Sequence, residues 1–84
     1  MRFEYTPKGT CSKKMVFDME GDVIKAVVIT GGCPGNLLGI SRIIRDMTID
    51  QVIEDFKGVR CGGKATSCPD QIAEALLEYR NQYL

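Results

Sequence analysis

The sequence predicts an α+β fold, in which a three-stranded antiparallel sheet is followed by three helices packed on one face of it. Two observations predict this order. Up to residue 30, apolar residues alternate with polar ones, which is the period of a half-buried strand. After residue 33 they recur three and four positions apart, which is the period of a helix. Chains that place their strands before their helices are typically α+β.

Three segments carry the strand pattern. The first contains Phe3 and Tyr5 and ends at Pro7-Lys8-Gly9; because it is short, it pairs at an edge or not at all. The apolar positions of the second are Met15, Phe17 and Met19, and the third runs from Val23 to Thr30. Glu20-Gly21-Asp22 separates these two, so we predict a hairpin with a glycine turn.

Three further segments carry the helix pattern. Pro34 suits the first turn of the first helix, Thr48-Ile49-Asp50-Gln51 resembles a capping box, and Ser67-Cys68-Pro69-Asp70 repeats that pattern before the third helix. Gly58 closes the second helix. The predicted core positions of the three helices are, in order, Leu37, Ile40, Ile44 and Met47; Ile49, Val52, Ile53 and Phe56; and Ile72, Ala75, Leu76, Tyr79 and Tyr83.

Length and charge exclude several classes of protein. The 84 residues suit one domain, 1–84, and 11 basic against 11 acidic residues give no charge excess that would indicate nucleic acid or a membrane surface. The start of the chain lacks the apolar run of a secretory signal, and no run is long enough to cross a bilayer. We therefore expect a cytoplasmic protein in a reducing compartment, where four cysteines indicate metal binding or redox chemistry rather than disulfides.

The four cysteines, Cys11, Cys33, Cys61 and Cys68, all lie at junctions between predicted elements, where a folded chain can bring distant residues to one point. The chain has no histidine, so four thiolates are the ligand set that completes a closed zinc site. Helix starts at Cys33 and Cys68 favour the thiolate form. Nearby cations would offset the negative charge of the site: Lys13, Lys14, Arg60 and Lys64. The spacing has no Cys-x-x-Cys knuckle, which leaves open idle thiols or a redox pair of Cys61 and Cys68.

The segment Thr66-Ser67-Cys68-Pro69-Asp70 resembles the signature of the TSCPD domain family. In length and in its four cysteines, the whole chain is similar to the small free-standing members of that family. A related domain ends many adenosylcobalamin-dependent ribonucleotide reductases, so the resemblance implies an accessory role near deoxyribonucleotide synthesis. The chain is too short for a reductase barrel, and reductase catalysis by this chain alone is not expected.

A second resemblance, to iron–sulfur scaffold proteins of the NifU/IscU type, implies a NifU/IscU-like fold. Those proteins place three cysteines at the positions here held by Cys11, Cys33 and Cys68. This chain departs from them at Lys13 and Ser67, where the scaffolds carry Asp and commonly His, and in having Cys61 as an extra thiol. A fourth sulfur in place of labile ligands suggests a site that holds its metal rather than one that transfers it.

From the sequence we expect a small zinc-binding accessory protein, with Cys11, Cys33, Cys61 and Cys68 as ligands and a ribonucleotide reductase or another protein as partner. An iron–sulfur scaffold or carrier, with a cluster in place of zinc, is the alternative. A thiol–disulfide relay for a reductase is the second alternative.

Overall fold

Three strands precede three helices in the computed structural model, which describes residues 1–10, 12–32 and 34–84. The elements are β1 (Arg2–Tyr5), β2 (Ser12–Glu20), β3 (Val23–Gly31), α1 (Pro34–Ile43), α2 (Ile49–Phe56) and α3 (Cys68–Tyr83). The predicted α+β order is therefore confirmed.

The sheet has the strand order β1-β2-β3, and both pairings are antiparallel. β1 is an edge strand, which resolves the alternative that the sequence left open. Cross-strand register places Phe17 between Phe3 and Val27, and all three side chains are buried. In the neighbouring cross-strand pair, Val28 lies opposite Val16 and is 64% exposed. Because successive side chains of a strand point to opposite faces, one face of the sheet carries the core and the other meets solvent.

A tight turn at Gly21 joins β2 and β3, as predicted. Glu20 pairs with Val23, so the loop is two residues long, and Gly21 has a φ of +60°. Hairpin turns of this length require a positive φ, which glycine adopts without steric cost. The hydroxyl of Tyr79 donates to the Gly21 carbonyl at 3.1 Å, which fixes the turn against α3.

A β-bulge interrupts β2 near its start. The register shifts between Ser12, which pairs with Gly31, and Lys14, which pairs with Thr30. The extra residue of a bulge changes which face the following side chains point to. Ser12 is consequently buried, although strict alternation from Met15 would place it on the outer face.

The connection between α1 and α2 differs from the prediction, which extended the first helix through Ile44 and Met47. The helix ends at Ile43, and the chain then joins the sheet: the N–H of Asp46 donates to the Ile24 carbonyl, and the N–H of Ile24 donates to the Met47 carbonyl. Hydrogen bonds to the start of β3 thus replace a further helical turn. Ile44 is still buried in the core.

Helices α2 and α3 pack together and complete the core. Thr48 and Gln51 form the predicted capping box at the start of α2. Most of the predicted positions on α3 are buried, whereas Tyr83 is half exposed and its ring lies tilted against that of Tyr79, with centroids 5.3 Å apart. Among the described residues, no helix combines the length and the apolar character that a bilayer crossing requires.

We predict that Phe17→Ala lowers the free energy of unfolding by about 3–5 kcal/mol, because it leaves a cavity in the buried core cluster. Urea denaturation followed by circular dichroism measures the change. Val28→Thr is the control on the same sheet, and it should shift stability by less than about 0.5 kcal/mol because the side chain is exposed. Equal losses in the two variants would contradict the assignment of the two faces.

Candidate metal centre

A cavity of about 530 Å³ lies between α1, the start of α3 and the loop formed by residues 59–66. We call it the sulfur cavity because Cys61 and Cys68 both line it. Its apolar wall comes from α1, through Leu37, Ile40 and Ile43. The lining therefore combines two cysteines with an apolar helix face.

The loop that carries Cys61 closes on itself. The N–H of Cys61 donates to the carbonyl of Thr66 at 3.2 Å, and the N–H of Lys64 donates back to the carbonyl of Cys61 at 3.0 Å. Gly62 has a φ of +58°, which this tight turn requires. Cys61 is exposed, so its thiol sits on a locally closed turn at the surface.

Two side chains at the start of α3 bind the base of this loop. Ser67 is the N-cap residue: its hydroxyl accepts from the N–H of Asp70 at 3.1 Å and donates to the Val59 carbonyl at 2.6 Å. The Asp70 carboxylate accepts from the Gly58 N–H at 2.7 Å and from the Thr66 hydroxyl. The second predicted capping box is therefore only half formed. Ser67 accepts from the Asp70 N–H as predicted, but the Asp70 carboxylate binds Gly58 and Thr66 instead of the N-cap backbone.

These contacts lower the pKa of Asp70 below its ordinary value. The hydrogen bond from Thr66 is the largest cause, followed by the one from the Gly58 N–H, and Lys57 and Arg60 add electrostatic attraction. Each donor stabilises the charged carboxylate. At neutral pH, Asp70 is therefore an ionised link between the helix and the loop.

Gln71 connects the same helical turn to the segment that follows β1. Its side-chain oxygen accepts from the Tyr5 hydroxyl at 3.2 Å and from the Lys8 N–H at 3.0 Å. Its amide nitrogen donates to the Thr66 hydroxyl at 3.0 Å. Gln71 is buried, and these three contacts satisfy its polar atoms.

Cys68 is the first residue of α3, as the sequence predicted, and its sulfur has a hydroxyl neighbour. Sγ lies 3.3 Å from the Ser12 hydroxyl oxygen, which lies 2.9 Å from the hydroxyl oxygen of Thr10. Cys68 is half-buried, in contrast to Cys61. The two described thiols thus differ in exposure and in surroundings.

Only Cys61 and Cys68 of the four predicted ligands are among the described residues, and the sulfur cavity brings them together. Cys11 and Cys33 lie outside those residues. Within the described part of the chain, no three His, Cys, Asp or Glu side chains form a group that could hold a metal ion. The convergence of all four sulfurs stays a prediction.

The predicted cations divide between two places. Lys64 lines the sulfur cavity. The ammonium of Lys14 instead lies 3.2 Å from the Glu4 carboxylate, and Lys13 and Arg60 are exposed. Of this set, Lys64 is the one among the lining residues of the cavity.

Sequence reasoning missed three polar residues of the centre: Thr10, Ser12 and Gln71. For Gln71 a signal exists, because it is a polar residue directly before Ile72 at the start of an apolar helix face. Ser12 gives no such signal, since the β-bulge reverses the face to which alternation would assign it.

Comparison with known families gives one match. The family model described as the TSCPD domain matches residues 1–80, a range that contains all four cysteines. No curated protein and no solved structure matches the chain, so the similarity to NifU/IscU scaffolds stays a prediction.

We predict that Asp70→Asn lowers the free energy of unfolding at pH 7 by about 1–2 kcal/mol, because hydrogen bonds to a charged acceptor are lost. The folded pKa is depressed, so the stabilisation is present above the ordinary pKa of 3.8 and is lost as the pH falls through the folded value. The stability gap between wild type and variant in urea denaturation should therefore stay constant from pH 7 to about pH 5 and narrow between about pH 4 and pH 2. Asp55→Asn, at an exposed position of α2, is the control, and a constant gap across this range would contradict the role of the charge.

Proposed function

The chain belongs to the TSCPD domain family, and from this premise we propose that it is an accessory protein that binds one zinc ion through Cys11, Cys33, Cys61 and Cys68. The observation that carries the proposal is the sulfur cavity, whose lining includes Cys61 from the loop and Cys68 from the start of α3. Its lining also includes Thr10 and Gly35, which lie one and two residues from the other two cysteines. Because consecutive Cα atoms are 3.8 Å apart, such neighbours support a shared site.

The donor set fits zinc. Thiolate sulfur is a preferred zinc ligand, the chain has four cysteines and no histidine, and four thiolates complete a tetrahedral structural site. Bound in this way, zinc would supply a cross-link between loops rather than an open coordination position for catalysis. Lys64 would offset part of the negative charge of the thiolates.

The small size of the domain supports a structural role for the metal. A core of this size leaves little net stability, and small domains often gain the remainder from a metal or from disulfides. If the chain works in a reducing cytoplasm, its cysteines would serve as metal ligands rather than form disulfides.

For the partner, the resemblance described above supports a ribonucleotide reductase. In this proposal the chain serves deoxyribonucleotide synthesis as a separate metal-binding module and does not catalyse the reduction itself. Co-purification of the untagged chain with a reductase subunit from the same cell, at a fixed ratio through two columns, tests this part by itself.

Elemental analysis of the untagged protein, purified without oxygen, tests the metal proposal. We expect one zinc per chain and no visible absorbance. Iron with visible absorbance would favour the iron–sulfur alternative. Absence of metal, together with reversible formation of a disulfide between Cys61 and Cys68, would favour the thiol relay.

We predict that removal of zinc by a chelator lowers the melting temperature, because the free energy of metal binding is part of the free energy of folding in a domain this small. Cys33→Ser should lower it in the same way. The same chelator saturated with zinc is the control, and an unchanged melting temperature after metal removal would contradict a structural role.

We also predict that Cys61→Ala retains zinc but releases it faster to a competing chelator. Three thiolates plus water restore the open arrangement of labile zinc sites. Gly63→Ala is the matched control in the same loop, since an added methyl group there meets no atom within 4 Å. Equal release rates in Cys61→Ala and wild type would show that Cys61 is not a ligand.

A further inference from the structure

We propose that Ser12 is a positioning residue of the metal centre, which donates a hydrogen bond to the Cys68 sulfur and so retains the metal on that ligand. This inference rests on the proposed function. It concerns a side chain that is not itself a ligand and that lies at the start of β2.

Ser12 lies where three cysteine-bearing segments meet. It follows Cys11 directly in the chain, and in the sheet it pairs with Gly31, two residues before Cys33. Its hydroxyl oxygen lies 3.3 Å from the sulfur of Cys68, at the start of α3. One residue therefore links all three segments, two through the backbone and one through the side chain.

The direction of the hydrogen bond follows from the chemistry of a bound thiolate. A metal-bound sulfur has no proton and can only accept, so the Ser12 hydroxyl donates to it. The Ser12 oxygen is then available to accept from the Thr10 hydroxyl, 2.9 Å away. The order of donors is Thr10 to Ser12 to Cys68, and it holds the Ser12 proton toward the sulfur.

Burial makes this contact specific to the site. Ser12 is only 4% exposed, so water does not readily replace its hydroxyl as a donor once it is removed. Residues that hydrogen-bond to metal ligands typically change metal affinity by 10- to 100-fold when they are lost. We expect a change at the lower end of this range, because a neutral hydroxyl is a weaker donor than a charged group.

The test uses the full chain loaded with Co²⁺, whose sulfur-to-metal absorption reports on the electron density at the thiolates. The variants are Ser12→Ala, which removes the donor, and Thr10→Val, which removes only the hydroxyl behind it. The control is Ser41→Ala, since the Ser41 hydroxyl donates to the Leu38 carbonyl within α1. Three quantities are measured: the rate of Co²⁺ transfer to a chelator, the position of the absorption band, and the melting temperature of the metal-free protein.

We expect Ser12→Ala to release Co²⁺ on the order of tenfold faster with a shifted band, Thr10→Val to show a smaller change of the same sign, and Ser41→Ala to match wild type. Unchanged release and band in Ser12→Ala would overturn the inference. So would faster release with an unshifted band and a lower melting temperature of the metal-free variant, which would mark Ser12 as structural only. If Ser12→Ala does not fold, Thr10→Val decides by the same criteria. Failure of the wild-type chain to bind Co²⁺ or zinc would instead overturn the proposed function, and this inference with it.

Discussion

The first turn of a helix has backbone N–H groups without helical partners, and a carboxylate or hydroxyl placed there is stabilised by them and by the helix dipole. At the start of α3, Ser67 meets this requirement by accepting from the N–H of Asp70. The same turn also binds other parts of the chain, through Asp70 to Gly58 and to Thr66 of the loop of residues 59–66, and through Gln71 to the segment after β1. The shape of the sulfur cavity depends on these contacts, because they fix the loop of residues 59–66 and the segment after β1, and both contribute residues to the lining.

This arrangement gives a physical account of the five-residue motif from Thr66 to Asp70. Thr66 and Asp70 bind each other, Ser67 caps the helix and holds the loop, and Pro69 occupies an early helical position where a missing N–H costs nothing. Cys68 is the remaining member, and its sulfur faces Ser12 at the cavity. Four residues of the motif thus connect the loop to the start of α3, and the fifth, Cys68, supplies a thiol at this connection.

The sequence predicted the parts of the fold that depend on local periodicity and capping. Strands, hairpin and helices follow from the spacing of apolar residues and from Gly21, Thr48 and Ser67, each of which acts on its nearest neighbours. It failed where a distant partner decides the local structure. The first helix stops early because Asp46 bonds to β3, and the Asp70 carboxylate turns to Gly58, twelve residues away. The burial of Ser12 depends on the β-bulge, and the residues around Ser12 give no sequence signal for that bulge.

The same limit applies to the candidate centre. Residue type and junction position selected Cys61 and Cys68, and both line one cavity. The neighbour that distinguishes Cys68 from Cys61 is Ser12, which lies 56 residues away in the chain. Single-sequence periodicity carries no information about such pairs, because it reports only which face of an element a residue occupies.

The hydrogen bond that closes the turn between Cys61 and Thr66 has a consequence for the order in which the chain folds. Closing a short loop costs little entropy, so Cys61 and Cys68, seven residues apart, can approach each other before any strand has paired. The contact between Ser12 and Cys68 spans 56 residues and forms only when the sheet meets α3. We therefore expect the turn that carries Cys61 to form early in folding and the contact between Ser12 and Cys68 to form late.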